Sequence, residues 1–299
     1  MAVWVPRFAC PECRGEIDSR LRCLACGAPF ERHDDLFRFL SSPRANEVEP
    51  FQQQYRTVRQ REGYRRPSPD FYRMLPAVPR GDRHAGEWRI RSESYAHLLQ
   101  HAIPDGRRAP LRILDLGAGN GWLSHRLAAC GHSVVAVDRL DDETDGLGAC
   151  RHYPVPFVAV QADFDALPFE PSQFDRVVFN SSLHYSANPA ETLAHARRML
   201  TPSGVIAVVD SPMFANDADG EAMVADQSHR IETDHGLGRV IRPGIGFVTF
   251  AGLERMTGSL GLQGRFFRTH GPIGWRLRRP LARLKLGRPP AAFGVWVAR

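Results

Sequence analysis

A quartet of cysteines near the N-terminus has the residue type and spacing of a metal site. The thiols form two Cys-x-x-Cys pairs separated by nine residues: Cys10, Cys13, Cys23 and Cys26. Two such turns can place four thiolates tetrahedrally around one Zn²⁺, and four protein ligands leave no open position for catalysis. Two disulfides or four free thiols are the alternatives, although a reducing compartment disfavours disulfides. The spacing therefore predicts a structural zinc ion.

A second group of chemically informative residues lies in mid-chain, where residues 113–122 read Ile-Leu-Asp-Leu-Gly-Ala-Gly-Asn-Gly-Trp. An apolar strand here runs into a glycine-rich turn and then a helix. Glycines adopt positive φ and let the backbone approach a ligand closely. A dinucleotide-binding turn would need its third glycine at position 122, which is Trp122. The glycines instead lie at alternate positions after Asp115, which favours a different nucleotide ligand.

Three later passages support this interpretation. An apolar strand ends at Asp138, 23 residues after Asp115, where a carboxylate can bind both ribose hydroxyls. Residues 161–178 contain Asp163, then Leu-Pro-Phe, then Phe-Asp, and residues 198–205 read Arg-Met-Leu-Thr-Pro-Ser-Gly-Val. In this order the four passages resemble those of class I S-adenosylmethionine-dependent methyltransferases, with Ser203 in place of a usual glycine. The resemblance is strong over about residues 112–210 and weak over the rest of the catalytic domain.

The resemblance implies roles for individual side chains. Asp115 would help to hold the amino group of the cofactor's methionine part, and Asp138 would bind the ribose. Asp163 would meet the adenine amino group, and Phe164 would pack near the adenine ring. The full set of candidate cofactor residues comprises Asp115, Gly117, Ala118, Gly119, Gly121, Asp138, Arg139, Asp163, Phe164 and Asn180.

The N-terminal segment Cys10–Leu40 resembles the short zinc-ribbon family that accompanies methyltransferases as separate activator subunits or as N-terminal fusions. A related module precedes the catalytic domain of some ribosomal RNA guanine methyltransferases. Those modules often carry a histidine as the last ligand, whereas Cys26 stands at that place here. This departure weighs against an RNA acceptor.

The acceptor site is predicted after the fourth strand, where residues 180–185 read Asn-Ser-Ser-Leu-His-Tyr. Enzymes that methylate amino groups of nucleic-acid bases often carry Pro-Pro here, and this chain does not. The passage resembles the Ser-x-x-Leu-His segment of the group that contains quinone-biosynthesis and sterol-type methyltransferases. As catalytic candidates, His184 could deprotonate a hydroxyl or phenol, and Tyr185 could orient the acceptor. Both side chains could equally be packing residues.

The pattern of secondary structure supplies the elements that position these residues. Strands alternate with helices from residue 112 onward, which predicts an α/β fold with a doubly wound, seven-stranded, mostly parallel Rossmann-like sheet. The strand candidates are 112–116, 133–138, 155–161, 176–180, 205–210, 262–268 and 293–298. Three segments are predicted: a zinc ribbon over residues 1–42, a linker with short helical pieces over 43–82, and the methyltransferase domain over 83–299. The insertion over residues 210–246 would leave the carboxyl edge of the sheet as a substrate lid.

Composition limits the location and partners. The 299 residues are 43% hydrophobic and contain no apolar run long enough to span a bilayer, and the N-terminus lacks the features of a signal peptide, so we expect a cytoplasmic protein. The net charge is +6. Residues 270–290 interleave leucines and arginines, a pattern that suits an anionic membrane surface or RNA phosphates, or a merely solvated surface.

The function predicted from the sequence is transfer of a methyl group from S-adenosylmethionine to the O, N or C atom of a small-molecule or lipid-like acceptor. A ribosomal or transfer RNA methyltransferase is the first alternative, suggested by the ribbon and the positive charge. A noncatalytic cofactor-binding scaffold is the second. The sequence does not specify an oligomeric state.

Overall fold

The computed structural model describes residues 4–66, 68–107, 109–271, 284 and 286–299. Its strands are β1 (Glu31–His33), β2 (Leu36–Arg38), β3 (Arg112–Leu116), β4 (Ser133–Asp138), β5 (Val158–Gln161), β6 (Phe174–Asn180), β7 (Leu200–Val209), β8 (Met213–Phe214), β9 (Val248–Thr249), β10 (Gly264–Arg268) and β11 (Gly294–Ala298). Its α-helices are α1 (Ser42–Arg61), α2 (Pro69–Met74), α3 (Ala85–His101), α4 (Trp122–Ala129), α5 (Pro189–Met199), α6 (Asp217–His235) and α7 (Phe250–Ser259), with 3₁₀ turns at Leu147–His152 and Leu183–Tyr185.

The main sheet has the order β1-β2-β5-β4-β3-β6-β7-β11-β10. Neighbours from β2 to β7 pair in parallel, whereas β11 pairs antiparallel with both β7 and β10. The central strands are apolar because helices or loops cover both faces of a parallel sheet. In β3, for example, Ile113 faces one hydrophobic cluster while Leu114 and Leu116 face the other. The carboxyl ends of β3, β4, β6 and β7 therefore meet at one edge.

The count of seven strands was wrong, because the main sheet has nine. All seven predicted strands are present, and the two additional ones form a hairpin in the N-terminal segment. Its strand β2 pairs in parallel with β5, so that Phe37 lies opposite Val160. The cysteine segment also contributes Cys10 and Cys23 to the same hydrophobic cluster as Leu114. The ribbon-like segment is thus continuous with the sheet and is not a separate appendage. The local sequence of a three-residue strand does not predict this pairing.

The segment predicted as a linker contains the 20-residue helix α1, which begins with Pro43 in its first turn. Gln52 is buried and donates from Nε2 to the carbonyl of Arg139 at 3.1 Å, just beyond the end of β4. Arg59, two turns further along, forms a two-pronged ion pair with Asp145 (2.6 and 2.8 Å). These contacts hold α1 across the carboxyl edge of the sheet.

Helix α6 covers the same edge from the insertion after β7. Asn216 caps its start by accepting from the amide of Asp219 at 2.9 Å, and Gly236 ends it in a left-handed conformation. The insertion is joined to α1 through Gln54, which donates to the carbonyl of Arg239 and accepts from the amide of Ile241, both at 2.7 Å. Together α1 and α6 roof the sheet edge.

The basic connector predicted over residues 270–290 falls largely outside the described residues, which leave out 272–283 and 285. At its start, the carboxylate of Glu93 accepts from the amides of His270 (2.8 Å) and Gly271 (2.9 Å). Among the described helices, none is long and apolar enough to cross a membrane.

Candidate active site

A cavity of about 920 Å³ lies at the carboxyl edge of the sheet under α1 and α6. It reaches from the glycine turn after β3 to the segments that follow β6 and β7. Nine residues predicted from the sequence line it: Gly117, Ala118, Gly119, Asp138, Arg139, Phe164, Asn180, His184 and Tyr185. Three further candidates, Asp115, Gly121 and Asp163, are not among the lining residues.

The glycine turn forms the floor of one half of the cavity, which we call the cofactor half. Gly117 and Gly119 both have positive φ (73° and 54°). A Cβ on Gly117 would lie 2.3 Å from Cβ of Ser182, so only glycine lets the turn approach the end of β6. Gly121 precedes the first residue of α4 as its N-cap, and a Cβ there would lie 2.6 Å from the ring of Phe157. Gly117 and Gly121 therefore allow close packing, whereas the open space beside Gly119 leaves room for a ligand.

Asp138 is positioned by the backbone of its own surroundings. One carboxylate oxygen accepts from the amide of Gly119 and the other from the amide of Leu140, both at 2.8 Å. Burial raises the pKa of Asp138, although these two amides act in the opposite direction. The carboxylate is therefore fixed beside the glycine turn with lone pairs to spare, an arrangement that fits the ribose hydroxyls of a nucleoside.

Asp115 lies beneath the turn and is fully buried. Ser124 donates to one of its oxygens at 2.7 Å, and the other has no hydrogen-bond partner among the described residues. Burial raises the pKa of Asp115 to about 7. Its position fits support of the turn through α4 better than direct contact with a ligand in the cavity.

Asp163 is held between two arginines. Arg44 donates to one oxygen at 2.7 Å and Arg139 to the other at 2.8 Å. Burial works against the charge, but the two guanidinium groups outweigh it and hold the pKa of Asp163 below its usual range. The same Arg139 lies over the ring of Phe164, with 5.1 Å between its guanidinium carbon and the ring centroid. Phe164 reaches the cavity while Asp163 braces the loop behind it.

The other half of the cavity, which we call the acceptor half, contains the 3₁₀ turn after β6. His184 makes a hydrogen bond between Nδ1 and Oγ of Ser211 at 3.3 Å, and its ring packs on that of Tyr185 at 4.4 Å. Burial, with a contribution from Arg242, lowers the pKa of His184 to about 4. His184 is therefore neutral near pH 7 and a weaker base than a free imidazole.

The residues that α1 contributes to the cavity were not predicted from the sequence. Phe51 and Tyr55 lie near Tyr185, with ring centroids 6.0 and 6.4 Å away, and Arg59 lies one turn further along the same face. The spacing of 51, 55 and 59 is the i, i+4, i+8 pattern of a helix face. The sequence contains this pattern, but the segment over residues 43–82 was predicted to be a linker with short helical pieces. Asp210, at the end of β7, was also missed.

The four cysteines come together as predicted. All four sulfur atoms lie within 4.8 Å of one another, with 3.4 Å between Cys13 and Cys23 and 3.8 Å between Cys10 and Cys26. A tetrahedral site with Zn–S bonds of 2.3 Å requires sulfur atoms about 3.8 Å apart. The described residues thus present a donor set that fits one thiophilic metal ion.

The cysteine segment is attached to the loop that carries Asp163 and Phe164. Arg14 donates to the carbonyls of Leu167 and Phe169, both at 2.6 Å. The amide of Ala9 donates to the carbonyl of Pro168 at 3.0 Å. The cysteine segment therefore supports one wall of the cofactor half.

Comparison with known proteins relates the middle of the chain to methyltransferases. Residues 114–208 match the family model described as a methyltransferase domain. The chain is 35% identical over 109 residues to a malonyl-[acyl-carrier protein] O-methyltransferase of Erwinia pyrifoliae, an alignment that covers 36% of this chain and 39% of that protein. It is 34% identical over 101 residues to an uncharacterized methyltransferase of Mycobacterium tuberculosis, covering 34% and 40%. The chain thus spans about two fifths of the length of these curated relatives.

Among solved structures, the chain is similar to magnesium protoporphyrin IX methyltransferase from Synechocystis with bound S-adenosylhomocysteine. The TM-score is 0.50 at 13% identity, over 77% of this chain and 92% of the other. This likeness shows the fold. Residues 114–208 are thus similar to a methyltransferase domain, and the solved structure shows that the chain has the fold of such an enzyme.

Proposed function

We propose that this chain transfers the methyl group of S-adenosylmethionine to a small-molecule or lipid-like acceptor. The observation that carries the proposal is the single cavity of about 920 Å³ that joins the glycine turn to the aromatic and histidine wall. Cavities of 300–1,000 Å³ are typical of small-molecule and cofactor sites, and this one lies at the upper end, as two neighbouring ligands require. The roof of α1 and α6 favours an acceptor that can be enclosed.

The cofactor half would hold S-adenosylmethionine through groups already in place. Asp138 would accept from the ribose hydroxyls, Gly117 and Gly119 would allow the close approach, and Phe164 would pack against the adenine. S-adenosylmethionine supplies a methyl group on a positively charged sulfur, which is activated before it binds. The protein's part is therefore to align the acceptor and exclude water.

The acceptor half would grip an apolar or aromatic acceptor. Phe51, Tyr55 and Tyr185 provide ring faces and edges, which suit offset or edge-on contact with another ring. The neutral His184 would line the acceptor without adding charge.

The cysteine quartet would hold a structural zinc ion, because four thiolates close the coordination sphere. Its role would be to fold the ribbon, here residues 1–42, whose metal-free segment has too little apolar core of its own. Residues 43–82 would then roof the catalytic domain of 83–299.

Calorimetry on the purified protein tests the cofactor assignment. We expect S-adenosylhomocysteine to bind with a dissociation constant of about 1 μM and Asp138→Asn to weaken it by about 2 kcal/mol, because a hydrogen bond to a charged group is lost. Arg112→Gln is the control, because Arg112 lies at the start of β3, at the opposite edge of the sheet from the glycine turn. Binding of a nicotinamide dinucleotide in place of S-adenosylhomocysteine would refute the assignment.

Methyl-labelled S-adenosylmethionine and a fractionated lysate of the source organism test the acceptor class. We expect label in the small-molecule or lipid fraction. This labelling should be lost in Asp138→Asn. Label confined to RNA would replace the proposal by an RNA methyltransferase. Tight cofactor binding with no label in any fraction would favour a noncatalytic scaffold.

A further inference from the structure

Asp210, the residue that follows β7, has a backbone conformation that costs an aspartate free energy. Its φ is +48°, in the left-handed region that residues other than glycine rarely occupy. Ser181, the residue that follows the neighbouring strand β6, also has a positive φ, of +54°. Both residues line the cavity, so two adjacent strands turn through strained backbone where they reach the acceptor half. Such strain concentrates at functional sites.

One oxygen of Asp210 is held by a relay of hydroxyl groups. Ser94, fully buried on α3, donates to Oδ1 at 2.6 Å. Oγ of Thr269 lies 2.6 Å from Oγ of Ser94. Because the single proton of Ser94 is engaged with Asp210, Thr269 must donate to Ser94. The carboxylate is therefore fixed in orientation from the side of α3.

The other oxygen, Oδ2, is buried and makes no hydrogen bond of good geometry among the described residues, although the backbone amide of Gly294 lies close enough to lower the pKa of Asp210. A buried acceptor without a donor is costly, and such groups in native proteins call for an explanation. Asp115 has a similar orphaned oxygen, but it does not line the cavity, whereas Asp210 does. The charged neighbours of Asp210 are Arg91 and Glu93 on α3, and Glu93 is already engaged with the amides of His270 and Gly271.

We infer that Oδ2 of Asp210 binds the hydroxyl or amino group of the methyl acceptor and takes its proton during turnover. The O–H or N–H bond breaks, the proton moves to Oδ2, and the electron pair stays on the heteroatom, which becomes the nucleophile. The proton then leaves Asp210 for solvent. This inference rests on the proposed function and narrows its acceptor to a hydroxyl or amine beside an apolar group.

Binding of two ring probes tests the inference without knowledge of the acceptor. Phenol and toluene have similar size, but only phenol can donate a hydrogen bond. Both are titrated into the protein saturated with S-adenosylhomocysteine and followed by ligand-observed NMR. We compare the ratio of the two affinities in the wild type and in Asp210→Asn. In the variant, the amide oxygen can still accept from Ser94 while the amide nitrogen, a donor, takes the place of Oδ2.

We expect the phenol-to-toluene ratio to fall between tenfold and a hundredfold in Asp210→Asn, because a hydrogen bond to a charged group is lost. In the wild type the ratio should rise with pH through about 7, because burial raises the pKa of Asp210 to that value and only the carboxylate accepts strongly. This second measurement needs no variant, so a ratio that does not change with pH would count against Asp210 even if Asp210→Asn does not fold.

Two outcomes overturn the inference and can be told apart. An unchanged ratio in Asp210→Asn, or a ratio independent of pH in the wild type, with S-adenosylhomocysteine still bound, refutes the role of Asp210 and leaves the proposed function intact. Failure of the wild type to bind S-adenosylhomocysteine removes the proposed function and this inference with it.

Discussion

The two halves of the cavity are built in opposite ways. The cofactor half comes from short stretches that follow β3, β4 and β5, and its key contacts are made by backbone, such as the amides of Gly119 and Leu140 on Asp138. The acceptor half is assembled from side chains on α1, α3, the 3₁₀ turn after β6 and the end of β7, so that Phe51 and Tyr185 meet across 134 residues of sequence.

The two halves of the cavity therefore place different requirements on the sequence. A site made by backbone needs glycines and a fixed carboxylate at set intervals, so its pattern is local. A site made by side chains needs only that distant elements be brought together, and many residue types can line it. The halves should therefore respond differently to substitution: steeply and by steric exclusion in the cofactor half, more gradually in the acceptor half.

The largest effect is expected from Gly117→Ala. The new Cβ would lie 2.3 Å from Cβ of Ser182, and φ is 73°. Overpacking costs about 1–3 kcal/mol and a left-handed conformation about 1–2 kcal/mol in folding free energy, so chemical denaturation should show a free energy of unfolding about 2–5 kcal/mol lower in Gly117→Ala. Gly119→Ala is the matched control, because its φ is also positive but no atom lies within 4 Å of the added Cβ. Equal losses in the two variants would show that backbone strain alone governs the turn.

This contrast also shows why the cofactor half could be predicted from the sequence. The alternate glycines and Asp138 follow from the short-range geometry of a strand, a turn and a helix, and the structure brings Gly117, Gly119 and Asp138 together. Asp163 was expected to meet adenine, yet its charge is balanced by Arg44, 119 residues away in the sequence. No local pattern reports a partner at that distance.

The acceptor half and the sheet edge were less predictable for the same reason. The face of α1 that carries Phe51 and Tyr55 has a clear helical spacing, but the segment's polar, proline-containing composition suggested a linker. The extra strands β1 and β2 have three residues each and depend on pairing with β5, a tertiary contact. Asp210 marked only the start of an insertion, because its strained φ and orphaned oxygen exist only in the folded chain.

The roof over the acceptor half gives the next largest effect. Arg59 and Asp145 are 18% and 5% exposed, so Arg59→Met would leave a buried carboxylate without its partner. Removing one member of a buried pair costs about 3 kcal/mol or more in unfolding free energy. Chemical denaturation measures this loss. The double variant Arg59→Met/Asp145→Asn should lose less than the single one, because no charge is stranded; an equal or larger loss would show that packing of the arginine stem, not the ion pair, holds α1.

A smaller effect should link the metal site to the cofactor half. The ribbon holds the carbonyls of Leu167 and Phe169 through Arg14. Cys23→Ser should release the metal, loosen this wall and weaken S-adenosylhomocysteine about tenfold in calorimetry, roughly 1.4 kcal/mol. Cys150→Ser, outside the quartet, is the control and should bind normally. One zinc ion per wild-type chain by elemental analysis and none in Cys23→Ser would complete the link, whereas unchanged cofactor binding in the metal-free variant would confine the ribbon to a structural role.

The smallest effect is expected from His184→Gln in the acceptor half. A histidine that acted as general base would contribute about a hundredfold or more to the rate. Burial instead lowers the pKa of His184 to about 4, so the residue is a weak base, and glutamine can keep a hydrogen bond to Ser211. The methyl-transfer rate at pH 7, measured with labelled cofactor, should therefore change by less than about threefold, below 1 kcal/mol. A hundredfold loss would instead make His184 the base and remove that role from Asp210.

The pH dependence of the free energy of unfolding, compared between the wild type and His184→Gln, gives an independent check. An unfolded histidine takes up a proton below pH 6.5, whereas the folded one resists protonation until about pH 4, so the wild type should lose stability relative to His184→Gln as the pH falls through this window. Asp210 has the opposite sign, since its raised pKa of about 7 makes the wild type lose stability relative to Asp210→Asn as the pH rises from about 4 to 7. Opposite slopes in the two comparisons would show that folding lowers the pKa of His184 and raises that of Asp210.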